Sequence, residues 1–321
     1  MNRKLVVSSS PHVRSIESTQ SIMVDVLIAL FPVALVSVFL FGYRALLLMA
    51  ITVFTAMVTE AIWLRRRNIF GDGSAAVTGL LLAMVLPPTL PWWMALIGAV
   101  AAIIVGKQVY GGLGHNIFNP ALVGRAILFV SWGSSMGGNI WPGPKLFQFG
   151  ANLAAVTGAT PLANQEEALA VTFSQLITVN VAGCLGETSA LAIILGAFWL
   201  FSKKHIDWRI PVGYLGTVFV MGTFFGGGFY HGHLSTGLFH LLAGGVLLGA
   251  LFMATDLVTS PVTTTGRLIF GIGCGVITML VRLFGTFPEG VTFAILIMNA
   301  LTPVIDNFTV PRAFGEVRRG A

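Results

Sequence analysis

Charged residues are scarce in this chain. Of its 321 residues only 9% are Asp, Glu, Lys or Arg, whereas 55% are hydrophobic. A soluble domain carries roughly 25% charged residues, so this chain has too few charges to cover a water-facing surface of its size. Apolar runs of about 17–25 residues recur along its length, and runs of that length cross a bilayer core. The composition excludes an ordinary soluble protein and predicts one that faces lipid.

The chain also contains little cysteine. The chain has two cysteines, Cys184 and Cys274, and neither belongs to a CxxC pair. Iron–sulfur and zinc sites need clustered ligands, so this chain alone builds neither, and we predict no metal site. We expect Cys274 to be a small packing residue in a Gly-rich helix. Cys184 is expected near the outer surface.

Positive charge is in excess, with a net charge of +6. Such an excess can indicate nucleic-acid binding, but here the basic residues form short clusters between apolar runs, as in loops on one side of a membrane. If the N-terminus is cytoplasmic, the clusters Arg65-Arg66-Arg67, Lys107 and Lys203-Lys204 and the C-terminal arginines all fall on the cytoplasmic side. We therefore expect membrane lipid as a partner, no nucleic acid, and both termini in the cytoplasm.

Hydropathy predicts an all-α polytopic membrane protein with about ten transmembrane helices. The only long connection between apolar runs, residues 133–187, separates two groups of five. The predicted spans are 22–42, 45–64, 75–90, 92–110, 117–132, 188–202, 211–228, 237–253, 267–284 and 288–305.

An internal repeat organises these spans. Leu86–Leu122 and Thr259–Leu301 each run from a Pro-broken element through a Gly-spaced helix to a Gly turn and a helix with an Asn. Because five spans separate the copies, they lie in opposite orientations, which predicts two inverted five-helix repeats with broken helices. The predicted divisions are a cytoplasmic segment 1–21, repeats 22–132 and 188–305, an extracytoplasmic loop 133–187 and a cytoplasmic tail 306–321.

The loop contains the most informative short motif, Val156-Thr157-Gly158-Ala159-Thr160-Pro161-Leu162. On chemistry alone it predicts a turn, since Gly permits unusual backbone angles and Pro fixes the next residue. However, Thr-Gly-Ala-Thr followed by Pro-Leu, between two five-helix halves, resembles the NqrB/RnfD family of ion-translocating electron transport complexes. Gly114–Ala121 and Ala254-Thr255-Asp256 resemble the family as well, and the length favours its Rnf branch.

The resemblance implies a function. In the family the last Thr of the motif carries FMN through a phosphoester, which a flavin transferase installs, so Thr160 is the expected attachment site, with Gly158 and Ala159 leaving room around it. The resemblance also implies a non-covalent riboflavin between the helices toward the cytoplasm. The chain is then a bacterial inner-membrane subunit of a ferredoxin:NAD⁺ oxidoreductase that moves Na⁺ or H⁺. Its expected partners are the other Rnf subunits (A, B, C, E and G), and indirectly ferredoxin and NAD. No complete active site is expected in this chain, so no catalytic residue is assigned.

Ionisable residues in apolar surroundings are costly and are functional candidates. Asp25, Glu60 and Asp256 lie near ends of predicted spans and are candidates for ion coupling, with helix capping as the alternative for Asp256. Arg125 lies within a predicted span and must be paired or face a polar cavity, with Asp25 or a flavin as the candidate partner. His115 and Asn116 precede the same span, either as a polar helix start or as flavin contacts.

A different function is compatible with the same fold. An inverted repeat of this kind also suits a passive channel or carrier for a small neutral solute, with a fold like that of urea channels. That alternative leaves the Thr160 motif unexplained. A fluorescent flavin band on a denaturing gel distinguishes the two.

Overall fold

The computed structural model describes residues 18–65, 69–137, 141–142, 157–158, 169, 183–226, 232–285 and 290–311. These residues are helical apart from irregular connections and a two-residue antiparallel ladder, in which β1 (Trp141–Pro142) pairs with β2 (Thr157–Gly158). The helices are α1 (Thr19–Phe41), α2 (Tyr43–Trp63), α3 (Ser74–Met84), α4 (Trp92–Ile104), α5 (Pro120–Ser131), α6 (Gly133–Met136), α7 (Ala190–Ser202), α8 (Arg209–Phe225), α9 (His233–Leu242), α10 (Val246–Met253), α11 (Thr264–Phe284) and α12 (Val291–Phe308).

The helix ends follow from local sequence signals. Ser18 begins α1 with a capping box, because its hydroxyl accepts the Ser21 N–H (3.1 Å) while the Ser21 hydroxyl accepts the Ser18 N–H (3.2 Å). Gly42, with φ of 64°, ends α1 and begins α2, since glycine adopts this backbone region without strain. Thr263 caps α11 by accepting the Gly266 N–H at 3.1 Å.

All ten predicted spans coincide with helices, but the helices differ in length. Within the described ranges, five helices are long and apolar enough to cross a membrane, and the bent pair α9–α10 makes up to six. Four further apolar helices are shorter, α3, α5, α7 and α8, with 10–17 residues each. The predicted helical membrane fold is therefore confirmed, whereas ten crossings in an inverted repeat stay a prediction.

Two predicted spans are wrong in detail. The span predicted over 75–90 ends as a helix at Met84, because Pro87 and Pro88 cannot continue helical hydrogen bonding. The span predicted over 237–253 is broken, and its two parts meet at 66°. The second part starts as an α-helical turn and continues as a π-helix over Gly249–Met253.

Irregular backbone from both halves of the chain meets in the protein interior. The N–H of Leu185 donates to the carbonyl of Leu86 at 3.1 Å, and the hydroxyl of Ser37 donates to the carbonyl of Leu185. These bonds satisfy the Leu86 carbonyl and the N–H and carbonyl of Leu185, which have no partner within an α-helix. Buried apolar residues surround the junction and form one large core, which includes the predicted packing residue Cys274; that prediction is confirmed.

Helix packing repeats between the two halves. In the first half α2 packs on α3 and α4, and α4 packs on α5; in the second half α8 packs on α9 and α11, and α11 packs on α12. The pairs α1–α7 and α5–α12 join the halves. Close approach depends on small residues. A Cβ at Gly79 would lie 2.6 Å from the Val53 Cα, and one at Gly196 would overlap the Ala29 carbonyl oxygen.

The outer surface of the helices is apolar. Phe31, Phe198 and Phe284 are 62%, 71% and 82% exposed. A water-soluble monomer rarely exposes large apolar side chains over so wide an area, so this surface fits a lipid environment.

Most of the described charged side chains lie near helix ends at one end of the bundle. Asp25, near the start of α1, bonds to His205 after α7 at 2.9 Å. Glu60, near the end of α2, pairs with Lys107 after α4 at 2.7 Å. We call this the basic end, after its residues Arg65, Lys107, Lys203, Lys204, Arg209 and Arg267.

Candidate functional site

A cleft opens at the basic end between the two halves of the chain. Parts of α1, α3, α7 and α10 line it, together with the segments that precede α5 and follow α4. Apolar side chains such as Met23, Leu81 and Phe252 form most of its wall. Its polar side chains are Ser74, Lys107, Asn116, Asn119, His205, Thr78, Thr255 and Asp256. A mostly apolar cleft with a few converging polar groups is typical of a site for a small ligand.

The start of α3 contributes the first polar group. Gly73, with φ of 82°, allows the chain to turn sharply into the helix. Asp72 accepts the Ser74 N–H at 3.1 Å and also the Ser74 hydroxyl, and Lys107 donates to the same hydroxyl. Burial raises the pKa of Asp72, but the bonds from Ser74 and the charge of Lys107 outweigh it, so the net shift is downward. The carboxylate is therefore ionised at neutral pH.

Lys107 is a charged cleft residue that the sequence did not single out. It was predicted as a loop residue at the membrane surface, but its side chain is only 1% exposed. It pairs with Glu60, whose Oε1 also accepts from Gln108 Nε2 at 2.9 Å. The sequence signal for this pair was Glu60 near a helix end, a carboxylate that needs a cation from elsewhere in the fold.

Two asparagines before α5 define another wall. Asn119 caps α5, since its Oδ1 accepts the N–H groups of Ala121 and Leu122 at 3.1 and 3.4 Å, while its Nδ2 donates to the Met253 carbonyl at 3.2 Å. The helix predicted to start at 117 thus starts at Pro120, which suits a first helical position.

Asn116 offers the cleft an open acceptor. Its Nδ2 donates to the Phe118 carbonyl at 3.2 Å, but its buried Oδ1 has no hydrogen-bond partner in the described part of the chain. A buried acceptor of this kind suits a ligand donor or a water. His115, predicted with it, is instead exposed and lies outside the cleft lining.

Asp256 closes the cleft where α10 ends. Its oxygens accept the Val258 N–H at 3.5 Å and the Thr259 hydroxyl at 3.3 Å. Burial raises the pKa of Asp256, and these bonds and the charge of Lys107 offset only part of the shift. The group therefore holds its proton to a higher pH than an exposed aspartate does.

Arg125 lies at the interior junction, away from Asp25. It is 4% exposed, and its Nη2 lies 3.5 Å from the Cys184 Sγ. Cys184 donates its thiol to the Val85 carbonyl at 3.2 Å and its N–H to Glu187 Oε2 at 3.3 Å. The prediction that Cys184 lies near the outer surface is wrong, because this backbone packs beside α3 in the core.

The predicted FMN site lies mostly beyond the described ranges. Thr160 and Ala159 are outside them, and Gly158 belongs to β2. Among the residues that the structure describes, no group of three His, Cys, Asp or Glu side chains is arranged to hold a metal ion.

Comparison with known proteins gives a consistent result. Residues 6–315 match the model of the NQR2, RnfD, RnfE family. The D subunit of the Na⁺-translocating ferredoxin:NAD⁺ oxidoreductase complex of Acetobacterium woodii is 43% identical over 98% of this chain and 96% of that protein. The D subunit of the proton-translocating ferredoxin:NAD⁺ oxidoreductase complex of Clostridium ljungdahlii is 45% identical, covering 97% and 96%. The D subunit of the ion-translocating oxidoreductase complex of Escherichia fergusonii is 35% identical, covering 98% and 99%.

Proposed function

The chain belongs to the NQR2, RnfD, RnfE family, and we propose on this basis that it is the D subunit of an ion-translocating ferredoxin:NAD⁺ oxidoreductase. The observation that carries the proposal is the match to D subunits of such complexes over nearly the full length of both chains. Relatives of nearly equal identity are named for Na⁺ and for protons, so overall similarity does not assign the ion. As one subunit of a larger complex, the chain takes part in the reaction without a complete active site.

The proposed membrane topology has ten crossings in two inverted repeats, in a bacterial inner membrane. It is supported by the packing order, in which the second, third, fourth and fifth elements of each half contact one another in the same pattern. The basic end faces the cytoplasm in this proposal, because cytoplasmic loops carry the excess of Lys and Arg. Arg44 and Arg282 are the described arginines near the other end.

The proposed covalent cofactor is FMN, esterified through its phosphate to Thr160. Thr157 and Gly158 of the same motif lie in the ladder with β1, in the connection between the halves. Thr160 falls outside every predicted span, so in this proposal a flavin tethered there needs no rearrangement of packed helices. A covalent tether keeps a redox group from diffusing away, and the protein then sets its distance and orientation to other electron carriers.

Riboflavin is the proposed ligand of the cleft at the basic end. Lys107, Asn116 and Asp256 supply donors and acceptors, and the apolar wall suits the faces of a planar ring. The open Oδ1 of Asn116 fits a ring N–H or a ribityl hydroxyl. When bound, the flavin would supply one- and two-electron redox chemistry. With FMN on the far side, electrons would pass across the membrane.

Ion coupling is proposed at the cleft as well. Lys107 forms the direct ion pair with Glu60, and its charge partly offsets the burial that raises the pKa of Asp256. Asp25 lies beside His205 at the rim. Because charges here are close and poorly solvated, a change of charge on a bound ligand would shift the affinity of these groups for a cation or a proton. Ferredoxin and NAD would dock on other Rnf subunits, with A, B, C, E and G as the proposed assembly.

The decisive experiment follows covalent flavin on the purified chain. The chain is expressed with a flavin transferase, and the peptide containing the motif is measured by mass spectrometry, with in-gel flavin fluorescence as a second readout. We expect added FMN mass in the wild type and in Thr172→Ala, a control in the same connection but outside the motif, and none in Thr160→Ala. Thr160→Ala should still insert into membranes, because Thr160 falls outside every predicted span.

Two results would contradict the covalent-flavin proposal. A flavin band that persists in Thr160→Ala would place the attachment elsewhere. A wild type without added mass would leave the solute channel as the better hypothesis. For riboflavin, Asn116→Leu should reduce the acid-extractable flavin while the covalent FMN stays unchanged as the internal reference; equal extractable flavin would remove Asn116 from the site.

A further inference from the structure

A second, more polar pocket opens at the basic end, next to the cleft. It lies between the turn after α7, the start of α8, the segment after α10 and the start of α11. Lys204, Arg209 and Arg267 line it with a single carboxylate, Asp207. The Lys, Arg and Asp side chains of the lining carry three positive charges and one negative charge, which sum to +2. This excess favours an anionic ligand.

The two arginines are held in place and still have donors available. Asp207 Oδ2 accepts from Arg209 Nη1 at 2.9 Å and from Arg267 Nη1 at 2.7 Å, and Arg267 Nε donates to the Pro261 carbonyl at 3.0 Å. A guanidinium has five N–H donors, so each arginine keeps several that have no partner within the described residues. Burial raises the pKa of Asp207, but the hydrogen bonds from the Arg209 N–H and from both guanidiniums outweigh this effect, so the net shift is downward. Asp207 is therefore an ionised anchor for Arg209 and Arg267.

Lys204 adds the third positive charge from an unusual backbone position. Its φ is 60°, and it ends α7 in a Schellman arrangement, with its N–H on the Phe201 carbonyl and the His205 N–H on the Leu200 carbonyl, both at 3.0 Å. Glycine is preferred at this position. A lysine in this backbone conformation is strained, whereas a glycine would not be. The strain is consistent with a role for the Lys204 ammonium group.

The surroundings of the pocket place it at a lipid–water boundary. Trp208 is 57% exposed, with the Arg209 guanidinium carbon 5.2 Å from the centre of its ring. Val212, one turn further along α8, and Leu257 and Val262, in the segment between α10 and α11, are exposed as well. Tryptophan prefers the membrane interface. A ligand with a charged head and an apolar body would contact both kinds of surface.

We propose that Lys204, Arg209 and Arg267 bind the phosphate of an anionic phospholipid at the basic end. Its acyl chains would lie along exposed Val212 of α8 and along exposed Leu257 and Val262 of the segment between α10 and α11. A soluble phosphate or an acidic protein surface would use the same charges but would leave Val212, Leu257 and Val262 uncovered. The proposal is independent of the flavins, since it depends only on this pocket and on the membrane position of the chain.

The test is lipid titration of the full chain in detergent by native mass spectrometry, with phosphatidylglycerol and phosphatidylcholine compared. Lys204→Gly removes one charge and relieves the backbone, so it does not endanger folding. The matched control is Arg65→Gly, which also follows a helix at the basic end with a positive φ (51°) but lies outside the pocket. We expect wild type and Arg65→Gly to prefer phosphatidylglycerol, and Lys204→Gly to bind it about fivefold more weakly.

Competition and a second variant complete the test. Arg267→Gln should weaken binding of phosphatidylglycerol by a similar factor and leave binding of phosphatidylcholine unchanged. Inorganic phosphate and polyglutamate should both fail to displace the lipid. Equal affinity in wild type and Lys204→Gly would overturn the proposal, as would displacement by phosphate, which would indicate a soluble anion. Displacement by polyglutamate would instead indicate an acidic protein partner.

Discussion

The pair of Glu60 and Lys107 should respond unequally to loss of either member. Lys107 is 1% exposed and has only Glu60 and the Ser74 hydroxyl as partners within the described residues, whereas Glu60 is 13% exposed and keeps a bond from Gln108. Glu60→Leu therefore leaves the buried ammonium without its direct carboxylate partner, with the Ser74 hydroxyl and the charges of Asp72 and Asp256 remaining. Removing one partner of a buried pair costs about 3–5 kcal/mol. Lys107→Met leaves a carboxylate with a remaining donor and some solvent, for which we expect about 1–3 kcal/mol.

The double variant isolates the interaction itself. Glu60→Leu combined with Lys107→Met leaves neither charge buried, so it should cost less than Glu60→Leu alone. The resulting coupling free energy should be about 2 kcal/mol or more, within the range for residues in contact. The Ser74 hydroxyl keeps its bond to Asp72 in every variant, so the start of α3 should stay capped.

Reversible unfolding in mixed micelles, with rising SDS fraction and helicity as the signal, gives the free energies of unfolding. Leu46→Met is a suitable control, because Leu46 lies on α2 with 58% exposure and the change should alter stability by less than about 0.5 kcal/mol. If Lys107→Met were as costly as Glu60→Leu, the burial argument would fail. If the double variant cost the sum of the single variants, the pair would not be interacting.

Three further outcomes are expected. Gly196→Ala should cost about 1–3 kcal/mol in the same unfolding assay, because its Cβ would overlap the Ala29 carbonyl; Gly216→Ala, with open space around it, should be neutral or stabilising, and equal effects would contradict the packing. Arg125→Leu should lower ferredoxin-linked NAD⁺ reduction in the assembled complex, and unchanged activity would make the residue structural at most. Asp207 has a lowered pKa when folded, so its contribution is present above the unfolded pKa of about 3.9 and lost as pH falls through the native value. Asp207→Asn should be less stable than wild type near pH 6, and the difference should shrink as the pH falls below about 3.9; a constant difference would refute this.

Apolar run length was enough to locate the helices, because a bilayer sets a fixed minimum length for a span. It could not locate interruptions within them. Pro87 and Pro88 indicate in the sequence that α3 ends early. The break between α9 and α10 instead falls at Ala243-Gly244-Gly245, in a chain with many other glycines. Glycine in a membrane helix serves packing as readily as unwinding, so the sequence does not distinguish these roles.

The candidate site was only partly predictable for a different reason. Glu60, Asn116 and Asp256 were identified because each is polar beside an apolar run, and they line or adjoin the cleft. Lys107 was missed because a lysine after an apolar helix is most often a surface residue, and its partner is 47 positions away in the chain. Pairing between distant segments depends on helix packing, which single-sequence periodicity does not encode.

The Asn119 side chain connects the two halves of the molecule by hydrogen bonds. Its amide joins the first turn of α5 to the last carbonyl of the π-helix, so one side chain fastens the two halves at the basic end. Separating the halves there would leave the Met253 carbonyl without the Asn119 hydrogen bond in an apolar environment, which raises the free energy of the separated state. A movement that opens the halves at the basic end must therefore break this hydrogen bond or give the Met253 carbonyl another donor.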